Sequence, residues 1–185
     1  MLQLEKKSFY DTDKKETPML IIRLSKVAFV AAIALFSTLV AIGNIAYPSV
    51  NLAFVHHVFQ MDTIFVDAPI KTRAISDNVL QHVGYWAIVT CETLTAILCW
   101  LGAIIMLINL KQPIGVFHRS KRTAIAGLSL GFLIWQVAFM SIGGEWFGMW
   151  MSKEWNGVPD AFRFFITILI VLIYVVLPST DNETV

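Results

Sequence analysis

One acid, Glu92, lies deep inside a long apolar block running from about Asn78 to Asn109. A carboxyl group in hydrocarbon is costly. It is kept where it binds a proton or cation, hydrogen-bonds a ligand, or locks helices together. Asn44 and Gln136, each in another apolar block, are the candidate partners for an intramembrane polar site, with Arg163 a further possible partner. Whether Glu92 is functional or structural stays open at this point.

A second constellation occupies the end of the third apolar block, Ile142-Gly143-Gly144-Glu145-Trp146-Phe147-Gly148-Met149-Trp150. Trp146, Trp150 and the nearby Trp155 suit the aromatic belt where a helix leaves a bilayer. A belt alone does not require Gly-Gly-Glu before it. Glu145 is therefore expected to fix an outer cap by contacting Arg163 or the first loop. His56, His57 and His82 are weak metal or haem candidates, since adjacent histidines on a helix point apart and no span carries a His at its middle. The chain has no phosphate loop, zinc spacing or nucleophile elbow, so no catalytic residue is assigned and no cofactor is expected.

These residues must be positioned by apolar helices. Hydrophobic residues make up 57% of the 185 and charged residues only 15%, against about a quarter charged in a soluble domain. The charge is missing from four long blocks and concentrated between them. Each block is expected to be a helix, because a spanning segment must satisfy its own backbone hydrogen bonds. The fold expected is an all-α membrane protein, a four-transmembrane-helix bundle with a long, partly helical outer loop between helices 1 and 2. Spans are placed at about 20–46, 82–109, 124–146 and 160–177 within one domain, 20–177, flanked by polar cytoplasmic segments 1–19 and 178–185. The first block could be a signal peptide, but its long charged leader argues for a true span.

Periodicity orients the blocks. Ser37 and Asn44, seven apart, share a helix face expected to turn inward. Gln81, Tyr85, Glu92 and Cys99 form one stripe of the second block. Ser129 and Gln136 share a face of the third, and Arg163, Thr167, Ile170 and Tyr174 a face of the fourth. Gly127/Gly131 and Gly144/Gly148 have the small-residue spacing that lets helices approach closely. Cys91 and Cys99 are about 12 Å apart along a helix and cannot bridge. In the first loop the apolar spacing from Val50 to Met61 suits a short helix, Pro69 can open a second helical turn, and Ser76-Asp77 can cap the next helix.

Lys and Arg set the orientation. Lys6, Lys7, Lys14, Lys15, Arg23 and Lys26 precede or open the first span, and Lys111, Arg119, Lys121 and Arg122 fill an acid-free second loop. Only Lys71, Arg73, Lys153 and Arg163 lie on the other side. The positive-inside rule then puts both termini in the cytoplasm. A net charge of +1 gives no field for nucleic acid. The partners expected are the lipid bilayer and other membrane subunits, or further copies of the chain.

The chain resembles a bacterial family of predicted small integral membrane proteins with no assigned function. The resemblance covers about Met19 to Arg163. It rests on Arg23-Leu24-Ser25-Lys26, Asn51-Leu52-Ala53-Phe54-Val55-His56-His57-Val58, Met61-Asp62-Thr63, Arg73-Ala74-Ile75 and His82-x-x-Tyr85-Trp86, with Glu92 following. Its most specific part is Gly143-Gly144-Glu145-Trp146-Phe147-x-Met149-Trp150, then Trp155-Asn156-Gly157 and Phe162-Arg163. The resemblance implies a four-span inner-membrane protein and supplies no catalytic residue. The leading function is a non-catalytic accessory or structural subunit of a larger membrane complex. The alternatives are a small transporter or channel using Glu92, and a haem- or metal-binding redox protein.

Overall fold

A computed structural model describes residues 2–178, with side chains from residue 19 onward. The glycosylation-like Asn182-Glu183-Thr184 and the rest of the polar tail fall outside the described residues. All regular elements among those described are helical: α1 (Leu2–Ala46), α2 (Pro48–Gln60), α3 (Asn78–Ile108), α4 (Ile114–Ser120), α5 (Arg122–Leu133) continuing as a π-helix (Ile134–Trp146), and α6 (Val158–Val176). Short 3₁₀ turns lie at Pro69–Arg73 and Met149–Met151. Among the described residues, four stretches are long and apolar enough to cross a membrane: Met19–Ala46, Asn78–Ile108, Ile114–Trp146 and Val158–Val176.

The helices neighbour one another in chain order. α3 packs between α1 and α5, α6 packs on α5 and its π continuation, and α6 also touches α1. Lys26 of α1 and Leu177 after α6 meet, so both lie at one end of the bundle. We call this the terminal end and the opposite one, with α2 and the long loop, the cap end.

Local chemistry explains the element boundaries. Pro48 has no N–H with which to continue α1 and serves instead in the first turn of α2. The Asp77 carboxylate accepts from the Leu80 N–H at 2.9 Å and caps α3. Pro159 lies in the first turn of α6, with Asp160 beside it favouring the positive helix end. The basic second loop is largely helical, forming α4 and the start of α5.

The apolar core fills the terminal half. Val30, Ile33, Ala34, Cys99, Met106, Phe117, Leu128 and Ile168 are buried there. The expected inward face of α1 is present, with Ser37 and Asn44 buried, and the α3 stripe of Gln81, Tyr85, Glu92 and Cys99 is buried too. The shared face of α6 lies mostly outward. Arg163, Thr167 and Ile170 are exposed, whereas Ala161, Ile168 and Val175 point into the bundle.

The glycines of the third span serve contacts within the chain. A Cβ on Gly127 would lie 2.8 Å from the Cys99 Sγ, and one on Gly102 of α3 would lie 2.7 Å from the Ala124 Cβ and collide with the Ala124 backbone. Gly148, in the left-handed region at φ 65°, reverses the chain into the Met149–Met151 turn. The cap has its own small core of Val58, Met61, Ile64, Phe147 and Met149.

Candidate functional site

The site forms where α1 ends. Asn44 precedes Pro48 by four residues, so the donor that would ordinarily bond its carbonyl is missing. The Tyr85 hydroxyl of α3 fills that place, donating to the Asn44 carbonyl at 2.8 Å. The Asn44 amide then bridges two elements. Its Nδ2 donates to Glu92 Oε2 at 2.7 Å, and its Oδ1 accepts from Asn51 Nδ2 in the first turn of α2. Tyr85 and Glu92 are seven residues apart on α3, which puts both on the face toward Asn44.

This places Glu92 in the membrane differently from its position in α3. Glu92 is about 20 Å along α3 from Asn78, but it is level with Asn44, two residues from the end of α1. The first turns of α3 rise beyond α1 and pack under α2, where Val55, Tyr85 and Val89 form a buried cluster.

A cavity of about 320 Å³ opens beside Glu92. Its polar lining comes from Asn44, Asn51, Tyr85, Glu92 and Asp160, and its apolar lining includes Phe54, Val55, Trp135, Phe139 and Phe164. Trp135 is the hub of the aromatic wall, with ring centroids 4.6 Å from Phe139 and 4.7 Å from Phe164. Trp135 and Phe139 belong to the π-helix, where i→i−5 bonding is seen at Phe147 N–H to Ile142 O, 2.9 Å. π-Helical turns are rare and collect at functional sites. Gly143 and Gly144 accommodate the winding: a Cβ on either would lie 3.3 Å from the carbonyl oxygen five residues earlier.

The residues expected to act together are only partly brought together. Asn44 meets Glu92, but Gln136 neither lines the cavity nor hydrogen-bonds Glu92 through its side chain; its backbone carbonyl accepts from Ser141. The proposed Glu145–Arg163 contact is not formed. Arg163 pairs with Asp160 one turn away, and Glu145 is exposed with no ion pair among the described residues. The first loop does reach this stretch, through the neighbouring residue. Arg73 donates to the Trp146 carbonyl at 3.2 Å, with its guanidinium 4.6 Å from the Trp146 ring centroid. Trp150, on the cap's rim, meets Phe65 edge-on at 5.9 Å.

The three histidines divide between two places. His57 pairs with Asp62 at 2.8 Å and stacks on Trp155 at 4.5 Å. His56 and His82 approach to 5.5 Å between ring centroids, and His82 Nδ1 lies 2.8 Å from the Asn78 carbonyl oxygen. No group of three His, Cys, Asp or Glu suited to a metal ion occurs among the described residues.

A cluster at the terminal end was not expected. Arg23, Lys26 and Lys121 are all buried. Arg23 donates to the carbonyls of Leu110 and Gln112, 3.0 and 2.6 Å, just past the end of α3. Lys26 and Lys121 both donate to the Leu177 carbonyl at the end of α6. Cations there complement the negative helix end. α6 has no basic residue in its own last turn, so its final carbonyl takes donors from other elements.

No curated protein and no solved structure matches the chain. The family described as "predicted small integral membrane protein (DUF2165)" matches residues 22–178. That range includes three of the four spans whole, the first span from residue 22, and every residue of the Glu92 network, so the chain is a small integral membrane protein and belongs to this family.

Proposed function

We propose that the protein is a non-catalytic accessory subunit of a larger membrane complex, seated in a bacterial inner membrane with both termini cytoplasmic. The observation that carries the reading is the cap. It is held by its own core, yet it leaves Phe65 57%, Val66 84% and Trp150 47% exposed along one edge. An apolar edge on a rigid support suits a protein neighbour. The Lys and Arg distribution supports the orientation, because the terminal end holds the basic second loop. The small-residue motifs give no support, since Gly127 and Gly131 face α3 within the same chain. The reading includes no cofactor and no nucleic acid.

Gentle solubilisation of native membranes tests it. A stoichiometric larger partner should copurify, and Phe65→Ser with Val66→Ser should release it from an otherwise folded protein. A clean homo-oligomer with no partner would sink the reading. A fusion reporter at the C-terminus should report the cytoplasmic side.

The second reading is a small transporter using Glu92, and the cavity beside that residue favours it. The packed apolar terminal half weighs against a path through one bundle, so transport would need an interface between copies. Flux unchanged by Glu92→Gln would end that reading.

A further inference from the structure

We infer that the cavity beneath the cap is a binding site for a protonated primary or secondary amine, whose N–H groups meet the free oxygen of Glu92 and whose carbon body lies against Trp135, Phe139 and Phe164. Glu92 is 4% exposed and lines the cavity. Its Oε2 is taken by Asn44, and no donor among the described residues reaches Oε1. Oε1 is not sealed inside the protein but opens on the cavity, so a ligand that donates to it there gains a charge-assisted hydrogen bond.

The rest of the lining selects the kind of donor. It contains no Lys or Arg. Its other acid, Asp160, already pairs with Arg163. An ammonium beside a carboxylate and an aromatic wall gains from both charge and ring quadrupole. A quaternary ammonium has no N–H for Oε1. A bare metal ion would find mainly apolar lining, with the Asn44 side-chain oxygen already engaged by Asn51. The volume, about 320 Å³, lies at the small end of ligand pockets. The site is level with the end of α1 and the first turns of α6. That depth admits two sources of the same chemistry, the ethanolamine headgroup of a phospholipid or a free amine.

The full chain, reconstituted in phosphatidylcholine vesicles, decides this without any partner protein, so the result is separate from the subunit reading. The vesicles are titrated with n-octylamine, n-octanol and octyltrimethylammonium while thermal unfolding is followed. The amine should stabilise saturably at a concentration about tenfold or more below the other two, and Glu92→Gln should erase that preference. Replacing half the lipid by phosphatidylethanolamine should weaken octylamine about tenfold if the lipid headgroup is the natural occupant. It should leave octylamine unchanged if a free amine is. Equal response to the three probes overturns the inference, as does a preference that survives in Glu92→Gln. Should Glu92→Gln fail to fold, the wild-type comparison of amine with alcohol and quaternary ammonium carries the test alone.

Discussion

The guanidinium of Arg73 lies over the Trp146 ring and donates to the Trp146 carbonyl, tying the first loop to the end of the third span. Glu145, one residue earlier, takes no part in an ion pair among the described residues. The two residues therefore make opposite predictions. Arg73→Ala should loosen the cap, raising protease cleavage between residues 61 and 77. A cation–π contact with its hydrogen bond is worth about 1–2 kcal/mol. Arg73→Lys should be intermediate, because it keeps the charge without the planar fork. Glu145→Gln should leave cleavage unchanged; if it opens the cap instead, Glu145 is the fastener and Arg73 is not.

Tyr85 substitutes for the backbone donor that Pro48 removes. Tyr85→Phe should destabilise the protein by about 1–3 kcal/mol in detergent unfolding, since the Asn44 carbonyl loses its donor. Pro48→Ala restores an N–H four residues after Asn44. In the Tyr85→Phe background it should recover part of that loss, giving a non-additive cycle. Strict additivity of the two changes would refute the substitution.

Four glycines form a graded series. Gly102→Ala and Gly127→Ala place a methyl against α5 and α3 respectively, and each should cost about 1–3 kcal/mol or more as the helices separate. Gly43 and Gly115 have open space around a Cβ. Alanine there should be neutral or stabilising by up to about 1 kcal/mol, from helix propensity alone. Unfolding midpoints of the four variants check the order.

Lys26 and Lys121 share one acceptor. Lys26→Met or Lys121→Met alone leaves the Leu177 carbonyl with a donor and should cost little. The double variant leaves it with neither, and should fray the end of α6 at about 1–2 kcal/mol. Hydrogen exchange at residues 173–177 would show the difference. Equal fraying in one single variant would mean that only that lysine acts.

The bundle was readable because its signals are periodic and local. Apolar block length marks the four spans, the seven-residue spacings of Ser37 with Asn44 and Tyr85 with Glu92 turn the right faces inward, and Pro69 and Asp77 act within one turn of their own positions. Those faces bring Asn44, one of three candidate partners, to Glu92. The misplaced residues have separate causes. Gln136, oriented with Ser129 by helical period, lies in the π-helix, where i→i−5 winding takes residues off the 3.6-residue period. Arg163 found a carboxylate three residues away in Asp160, so the distant Glu145 had no advantage. Lys121 reads as a loop cation, and only the three-dimensional approach of α6 shows why it is buried.

The Leu177 carbonyl also bears on biogenesis. It is made after the other three spans, so Lys26 and Lys121 wait for their common acceptor until the final helix enters the membrane. A nascent chain stopped before Leu177 would carry two cations at the bundle's end without this acceptor. The last helix is therefore expected to act as an assembly latch, and chains truncated just short of residue 177 should be cleared by membrane proteases faster than chains ending just after it.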